Sequence, residues 1–229
     1  MKLIYITITI SFLLIALTIK AQKAFLKAQT SGWYPLFLKP VVDRILADKN
    51  NIKILDIGTG PGKLLELLNE QNADLQLTGI DIDTSMINEA RKKISHKNVS
   101  FHYQRVNEKL EFTDNEFDAV TFCSVLFLLD DTTKAFLFNE ALRVLKPDGK
   151  IIVLTPSGKK MIISSFVEVW KYPYSSTNWT FIVWKTLTTK GARKWNRSEW
   201  LKRFSKQKNL KYTSEITFTK NATIEVITK

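Results

Sequence analysis

The chain has 229 residues, 45% of them hydrophobic, and a net charge of +12, which allows one large domain with a buried core plus modest additions. Its single cysteine, Cys123, excludes a disulfide framework and a cysteine-based zinc cluster. With only His96 and His102 available, neither a histidine metal site nor a Ser-His-Asp triad is expected, and no metal ligand is assigned.

In chain order, the first feature is Leu3 to Ile19, an uncharged run of Ile, Leu, Phe, Ala and small hydroxyl residues. As a helix at about 1.5 Å per residue it would be roughly 25 Å long, slightly short of a hydrocarbon core of about 30 Å. Tyr5 to Ile10 alternates like a strand, but a strand would not account for the apolar run Phe12 to Leu17 that follows. Lys2 stands before the segment and Lys20, Lys23 and Lys27 after it, so the positive-inside rule leaves the remainder of the chain in the cytoplasm. A cleaved signal peptide is the rival reading, although Lys2 is a thin basic leader and Ala16/Thr18 a poor cleavage pair. The expectation is an N-terminal transmembrane signal-anchor over residues 1–20, with the cleaved and interfacial readings left open.

Residues 21–50 read as connector and leading helix. Trp33-Tyr34-Pro35-Leu36-Phe37-Leu38 is an aromatic cluster, and Pro40 to Leu46 fits a helix with proline in its first turn.

The main domain is expected over 51–229. Ile52, Ile54, Leu55 and Ile57 form a buried-strand pattern that carries Asp56 and breaks into Gly58-Thr59-Gly60-Pro61-Gly62. Leu64, Leu65, Leu67 and Leu68 then predict a helix. Glycine suits such a turn because it tolerates positive φ and lets backbone approach a ligand. A second strand, Leu75 to Ile80, ends at Asp81, and Ser85 to Lys93 predicts the next helix. Phe101 opens a third strand region, and Phe117 to Phe122 is the fourth strand, entered through Asp118. From Glu140 the pattern is helix, a Pro147-Asp148-Gly149 turn and a fifth strand. Near the C-terminus, Ser198 to Phe204 predicts a short helix, and two alternating runs split by Lys220-Asn221 predict a closing hairpin. Together these predict an α/β fold, a Rossmann-like doubly wound sheet. It is mostly parallel, with an antiparallel C-terminal hairpin strand, and is preceded by the membrane-anchor helix.

From Asn51 to Thr155 this ordered series closely resembles the class I S-adenosylmethionine-dependent methyltransferases. The spacing Gly58-x-Gly60-x-Gly62 matches that family's loop, whereas the dinucleotide fingerprint G-x-G-x-x-G fails at Lys63. The resemblance implies S-adenosyl-L-methionine as cofactor. It implies that Asp56 orients the turn and contacts the methionine amino group, and that the loop Gly58, Thr59, Gly60 and Gly62 admits the amino-acid end. Asp81 would hold the ribose hydroxyls, with Ile82 and Met86 against the adenine. Where relatives carry an acid that reads the adenine amino group, this chain has Arg105, which cannot accept a hydrogen bond, and the backbone at Val106 is left to read the base. Cys123, at the end of the fourth strand, completes the expected cofactor lining; burial there argues for a structural thiol over a nucleophile. Tyr34 is a candidate lid residue, with packing as the equal alternative. Phe127 and Leu128 are apolar where relatives often carry histidines. No catalytic residue is assigned, and transfer is expected to rest on proximity and desolvation.

Residues 157–208 resemble nothing specific and are read as a substrate cap insertion holding five of the six tryptophans. Nine Lys or Arg lie between Lys190 and Lys211 against one acid, Glu199, a surface suited to anions such as lipid headgroups. The leading reading is a membrane-anchored methyltransferase, facing the cytoplasm, with a small, hydrophobic or lipid-like acceptor. One alternative is an anchored cofactor-binding module without transfer activity. The other is an RNA or protein methyltransferase, although nucleic acid is not expected as a partner because no RNA-binding module or Asn-Pro-Pro-Tyr motif is present.

Overall fold

A computed structural model describes residues 23–48, 53–159 and 167–229. The chain divides into two units: the described residues of Met1–Tyr34 with Met161–Leu187, and Pro35–Lys160 with Thr188–Lys229.

The larger unit is built on one seven-stranded sheet. Its elements are α1 (Tyr34–Leu46, from Pro35 onward), β1 (Lys53–Ile57), α2 (Lys63–Gln71), β2 (Gln76–Asp81), α3 (Thr84–Lys93), β3 (Val99–Tyr103), β4 (Phe117–Cys123), α4 (Asp131–Val144) and β5 (Leu145–Pro156). They are followed by α5 (Thr180–Ser198, from Thr188 onward), α6 (Trp200–Gln207), β6 (Lys211–Thr217) and β7 (Ala222–Thr228). The strand order is β3-β2-β1-β4-β5-β7-β6. β1 to β5 are parallel, β7 runs antiparallel to β5, and β6 antiparallel to β7. This is the expected doubly wound sheet with its antiparallel hairpin. Because the order reverses between β1 and β4, a crevice opens at their carboxyl ends.

Each strand forms where its sequence is apolar without interruption. Ile54, Leu55, Asp56 and Ile57 of β1 are all buried, as expected of a parallel strand covered on both faces. Leu64, Leu65 and Leu68 form the buried stripe of α2. α3 starts at the side-chain cap Asp83, which accepts from the Ser85 amide, and ends in Arg91, Lys92 and Lys93, favourable against the carbonyl end of the helix dipole. On one side of the sheet, Phe122 of β4 stacks on Phe138 of α4, and Phe204 of α6 meets Phe138 edge-on. Trp195, Leu201 and Ile227 extend that core.

Two local expectations are corrected. Helix α1 starts at Tyr34, so Pro40 lies inside it rather than in its first turn. The bond Pro40 cannot make is to the carbonyl of Leu36, a partly exposed residue. Pro147-Asp148-Gly149 does not interrupt the fifth strand; these residues lie within β5, and the β4–β5 register shifts between Phe117 and Ala119 to accommodate them. Gly149 fits closely there: a Cβ would come 2.9 Å from the Asp118 carbonyl oxygen and 2.7 Å from Leu145 Cδ1, so the neighbours would have to shift.

The smaller unit is organised by Trp33, which is fully buried and meets Tyr34, Phe181 and Trp184 at ring-centroid distances of 5.1–5.6 Å. Its indole N–H donates to Thr180 Oγ1 at 3.0 Å. Gly32 allows this approach, because a Cβ would fall 2.0 Å from the Pro173 carbonyl oxygen. Tyr34 is buried in the same cluster and also meets Phe25 edge-on.

No helix among the described residues is long and apolar enough to cross a membrane. The anchor expected over residues 1–20 lies outside the described residues.

Candidate functional site

The residues singled out from the sequence converge at the carboxyl ends of β1 and β2. The loop after β1 takes left-handed backbone at Gly58 (φ 75°), Gly60 (φ 53°) and Gly62 (φ 81°), conformations that favour glycine. A Cβ on Gly58 would also fall 2.3 Å from Val125 Cγ2, and one on Gly62 would fall 2.9 Å from the Phe101 ring.

Loop amides are consumed within the fold. Gly58 and Thr59 both donate to the Ile80 carbonyl, at 2.8 and 3.0 Å, and Gly62 donates to the Thr59 carbonyl. Gly60 donates to Asp81 Oδ2 at 2.8 Å, and Pro61 has no N–H. An incoming group therefore meets a loop with few free donors, unlike the amide cradle that binds a pyrophosphate. Carbonyl oxygens and nearby carboxylates suit a cationic group better.

Two carboxylates border the loop. Asp56 is 2% exposed, and Thr121 Oγ1 donates to its Oδ1 at 2.6 Å. Burial pushes the Asp56 carboxyl up to about 6; the Thr121 and Thr59 hydroxyls oppose the shift, and the nearby Asp81 charge adds to it. Asp81 at the end of β2 accepts from Gly60 at Oδ2 and from the Asp83 amide at Oδ1, 2.9 Å away. It is also shifted upward by burial, against the pull of those two amides. Each of its oxygens keeps a lone pair for a hydroxyl of a ligand.

Beside Asp81, Ile82 is 58% exposed and Val106 55%. Tyr103, paired in register with Asp81, is 50% exposed. Large apolar side chains left open beside a half-buried carboxylate are the usual lining of a ligand crevice. Met86 differs: it is a buried core residue of α3. Arg105 is exposed and its guanidinium sits 3.4 Å from Glu108.

At the end of β4, burial pushes the Cys123 thiol well above its ordinary value, with the Asp56 charge contributing. An upward-shifted thiol holds little thiolate at neutral pH, which argues against Cys123 as a nucleophile. Ser124 follows with φ 64°. Phe127 packs closely on Gly191, where a Cβ would be 2.9 Å from its ring, and Leu128 is exposed. The nearest acids in sequence are engaged elsewhere: Asp130 caps α4 and Asp131 pairs with Lys134. Both are held below the usual carboxylate range, Asp130 by the Thr133 amide and hydroxyl and Asp131 by Lys134.

Three hydroxyls at the carboxyl ends of adjacent strands are buried. Ser124 after β4 and Thr155 near the end of β5 have no hydrogen-bond partner, and Thr59 after β1 has none in full hydrogen-bond geometry although it lies against the Asp56 carboxyl. Buried hydroxyls are normally satisfied, so this row fits a polar ligand lying across the strand ends. Ser124 and Tyr103 escaped sequence reasoning. A left-handed serine has no sequence signature, and Tyr103 reads as an ordinary strand residue.

Comparison with known proteins agrees with this geometry. A family described as a methyltransferase domain matches residues 48–213. A ubiquinone/menaquinone biosynthesis C-methyltransferase UbiE from Desulfotalea psychrophila is 36% identical over 118 residues, 51% of this chain and 46% of the relative. A demethylmenaquinone methyltransferase from Thermotoga maritima is 31% identical over 138 residues, 58% of each. The chain thus spans about half the length of the curated relatives it matches. Among solved structures, a putative S-adenosyl-L-methionine-dependent methyltransferase from Methanococcus maripaludis superposes with a TM-score of 0.68 over 92% of each chain at 19% identity. The plantazolicin methyltransferase BpumL in complex with SAH gives 0.59 over 91% of this chain and 85% of its own, at 16% identity.

Proposed function

The chain belongs to the class I S-adenosylmethionine-dependent methyltransferases, and on that premise we propose that it methylates a small, hydrophobic acceptor of the quinone class. The cofactor supplies a methyl group already activated on a sulfonium, so transfer needs alignment and exclusion of water more than proton abstraction.

The observation that carries this reading is the chemistry of the strand ends: two up-shifted carboxylates, a glycine loop and an apolar margin of Ile82, Tyr103, Val106 and Leu128. Asp56 and the loop carbonyls are proposed to hold the methionine ammonium. Asp81 would hold the ribose, and Thr59 and Ser124 would donate to the cofactor's polar edge. Ile82 and Val106 would flank the adenine, with Met86 supporting the wall from the core and Gly62 giving the helix its close approach. Cys123 is proposed as lining. Arg105 contributes its backbone only.

Near the methyl position, Phe127 and Leu128 offer no base, which suits an acceptor that reacts as an electron-rich ring once its own hydroxyl has ionised. The names of the matched relatives support the quinone class. Residues 157–208 are proposed as the substrate-selecting insertion, and residues 1–20 as the membrane anchor with the enzyme facing the cytoplasm, where the methyl donor is made.

The test is a transfer assay with the full chain and labelled S-adenosylmethionine against short-chain demethylated quinols, beside simple phenols and RNA. Methylation of the quinol alone is expected. Labelling of RNA and not quinol would overturn the acceptor while leaving the cofactor assignment intact.

A further inference from the structure

The helix α5 carries a second feature at the same end of the sheet. Gly158, just beyond β5, lies under it: a Cβ there would fall 2.5 Å from the Arg193 amide. Arg193 Nε and Nη2 donate to the Gly158 carbonyl at 3.2 and 3.1 Å, and Thr189 donates to the Lys159 carbonyl. Ala192 and Trp195 turn inward and are buried. The opposite face opens a groove of about 510 Å³ lined by Thr189, Lys190, Arg193, Lys194, Arg197 and Ser198.

Lys190, Arg193, Lys194 and Arg197 follow the i, i+3, i+4, i+7 spacing of a single helix face, where like charges repel. Most cations along β1 to β5 are placed against acids, as in Lys63–Glu66, Lys146–Asp118, Lys150–Asp48 and Arg143–Glu140. Among the described residues no acid forms an ion pair with Lys190, Lys194 or Arg197. Asp131, paired with Lys134, is near enough to feel Lys194; the groove is otherwise a concentrated positive field with two hydroxyls at its edges, held in place by the Arg193–Gly158 bonds.

We propose that this groove binds the phosphates of anionic phospholipid headgroups and docks the carboxyl ends of β4 and β5 at the bilayer that holds the acceptor. The second half of that statement rests on the hydrophobic acceptor proposed above. The extent of the charge points to a surface rather than to one free anion. Lys202 and Arg203, exposed in the first turn of α6, follow the groove directly in the chain, with Glu199 between them and the groove and itself paired with Lys202. Arrays of this kind are attracted to anionic leaflets, each residue near the surface adding to the affinity.

The experiment is vesicle co-sedimentation of the full chain, without cofactor or acceptor, on phosphatidylcholine and on phosphatidylcholine containing about one quarter phosphatidylglycerol. Wild type is compared with Lys190→Gln/Lys194→Gln/Arg197→Gln and with Lys93→Gln/Lys97→Gln/Lys109→Gln, which removes equal charge elsewhere. Arg193 is retained for its structural bonds.

The groove variant should lose roughly a hundredfold of the phosphatidylglycerol-dependent partitioning, and the control variant less than tenfold. Equal losses would reduce the effect to net charge and overturn the groove. Saturable calorimetric binding of pyrophosphate, with vesicle partitioning unchanged in the groove variant, would assign the site to a free phosphate and overturn the lipid. Tighter binding of an RNA oligomer than of the vesicles would overturn it likewise. Unaltered S-adenosylmethionine binding by the groove variant shows that it is folded. Because no acceptor is present, failure here is distinct from failure of the quinone reading.

Discussion

Thr121 and Asp56 are register partners on the adjacent strands β4 and β1, joined side chain to side chain by a 2.6 Å hydrogen bond. Both are buried, and the hydroxyl is one of two groups holding the Asp56 carboxyl down against desolvation. Replacing Thr121 by Val keeps the shape and removes the donor. A hydrogen bond to a charged group is worth about 1.5–3 kcal/mol, so the Asp56 pKa should rise by roughly one to two units. The expected result in calorimetry is weaker S-adenosylmethionine binding at pH 7, recovered toward pH 9. Thr121→Ser should bind like wild type.

The same carboxyl sets the pH dependence of cofactor binding. On the proposed role, the ionised form of Asp56 meets the methionine ammonium. Affinity should fall roughly tenfold per pH unit below about 6, where the carboxyl is protonated, and level off above it. Asp56→Asn should bind weakly and without that slope. A flat profile in wild type would remove Asp56 from the ammonium site.

Apo stability should run the other way. Asp56 and Glu225, the latter buried between Trp195 Nε1 and Tyr212 Oη, are both shifted upward by burial. A carboxyl raised by folding binds its proton more tightly in the native state. Its contribution is complete below the ordinary carboxylate range and is lost as pH rises through the folded value. For Asp56, moving from 3.8 to about 6, the loss is on the order of 3 kcal/mol. The thermal midpoint without cofactor should therefore decline from about pH 4 to about pH 6 and level off above that. Asp56→Asn should flatten that decline in part, and the remaining slope should follow Glu225→Gln.

How far this was legible in the sequence depended on the range of the interaction. The β1–loop–α2 unit, Asp81 and the β6–β7 hairpin were readable because period and glycine position are local. The doubly wound, mostly parallel class of the sheet was also expected, whereas the strand order came from the structure. What could not be read was long-range. Trp33 meets Phe181 and Trp184 across about 150 residues of chain, and Gly158 admits Arg193, contacts for which no spacing in the sequence gives a sign. Pro147-Asp148-Gly149 looked like a turn because its residues favour turns, but pairing with β4 drew them into the strand. Met86 sat at a position where a core side chain and a ligand contact have the same spacing, and burial placed its side chain in the core.

Gly58 tests the loop's geometry independently of its chemistry. Gly58→Ala meets two obstacles, a φ of 75° and Val125 Cγ2 at 2.3 Å. Together they should cost about 2–4 kcal/mol of stability in urea unfolding. Adding Val125→Ala should recover only the part due to the clash, and the part due to the left-handed backbone should remain.

Asp81 joins the loop to the second strand, so its variants should separate ligand binding from loop support. Its oxygens accept from Gly60 and Asp83, and on the proposed role they also accept from two ribose hydroxyls. Asp81→Asn keeps one acceptor and places an N–H donor against either an amide or a hydroxyl. Asp81→Ala loses both acceptors and leaves the Gly60 amide without its partner. Cofactor affinity should drop roughly a hundredfold in either variant, as expected for losing about 3 kcal/mol of charge-assisted hydrogen bonding. Asp81→Ala should additionally lower the apo thermal midpoint. Upward titration by burial is removed in both, so a shared rise in apo stability at pH 8, relative to loop damage in the alanine variant, would appear as a higher midpoint for Asn than for Ala. Should both variants bind S-adenosylmethionine as wild type does, the ribose is held elsewhere and the proposed orientation of the cofactor is wrong.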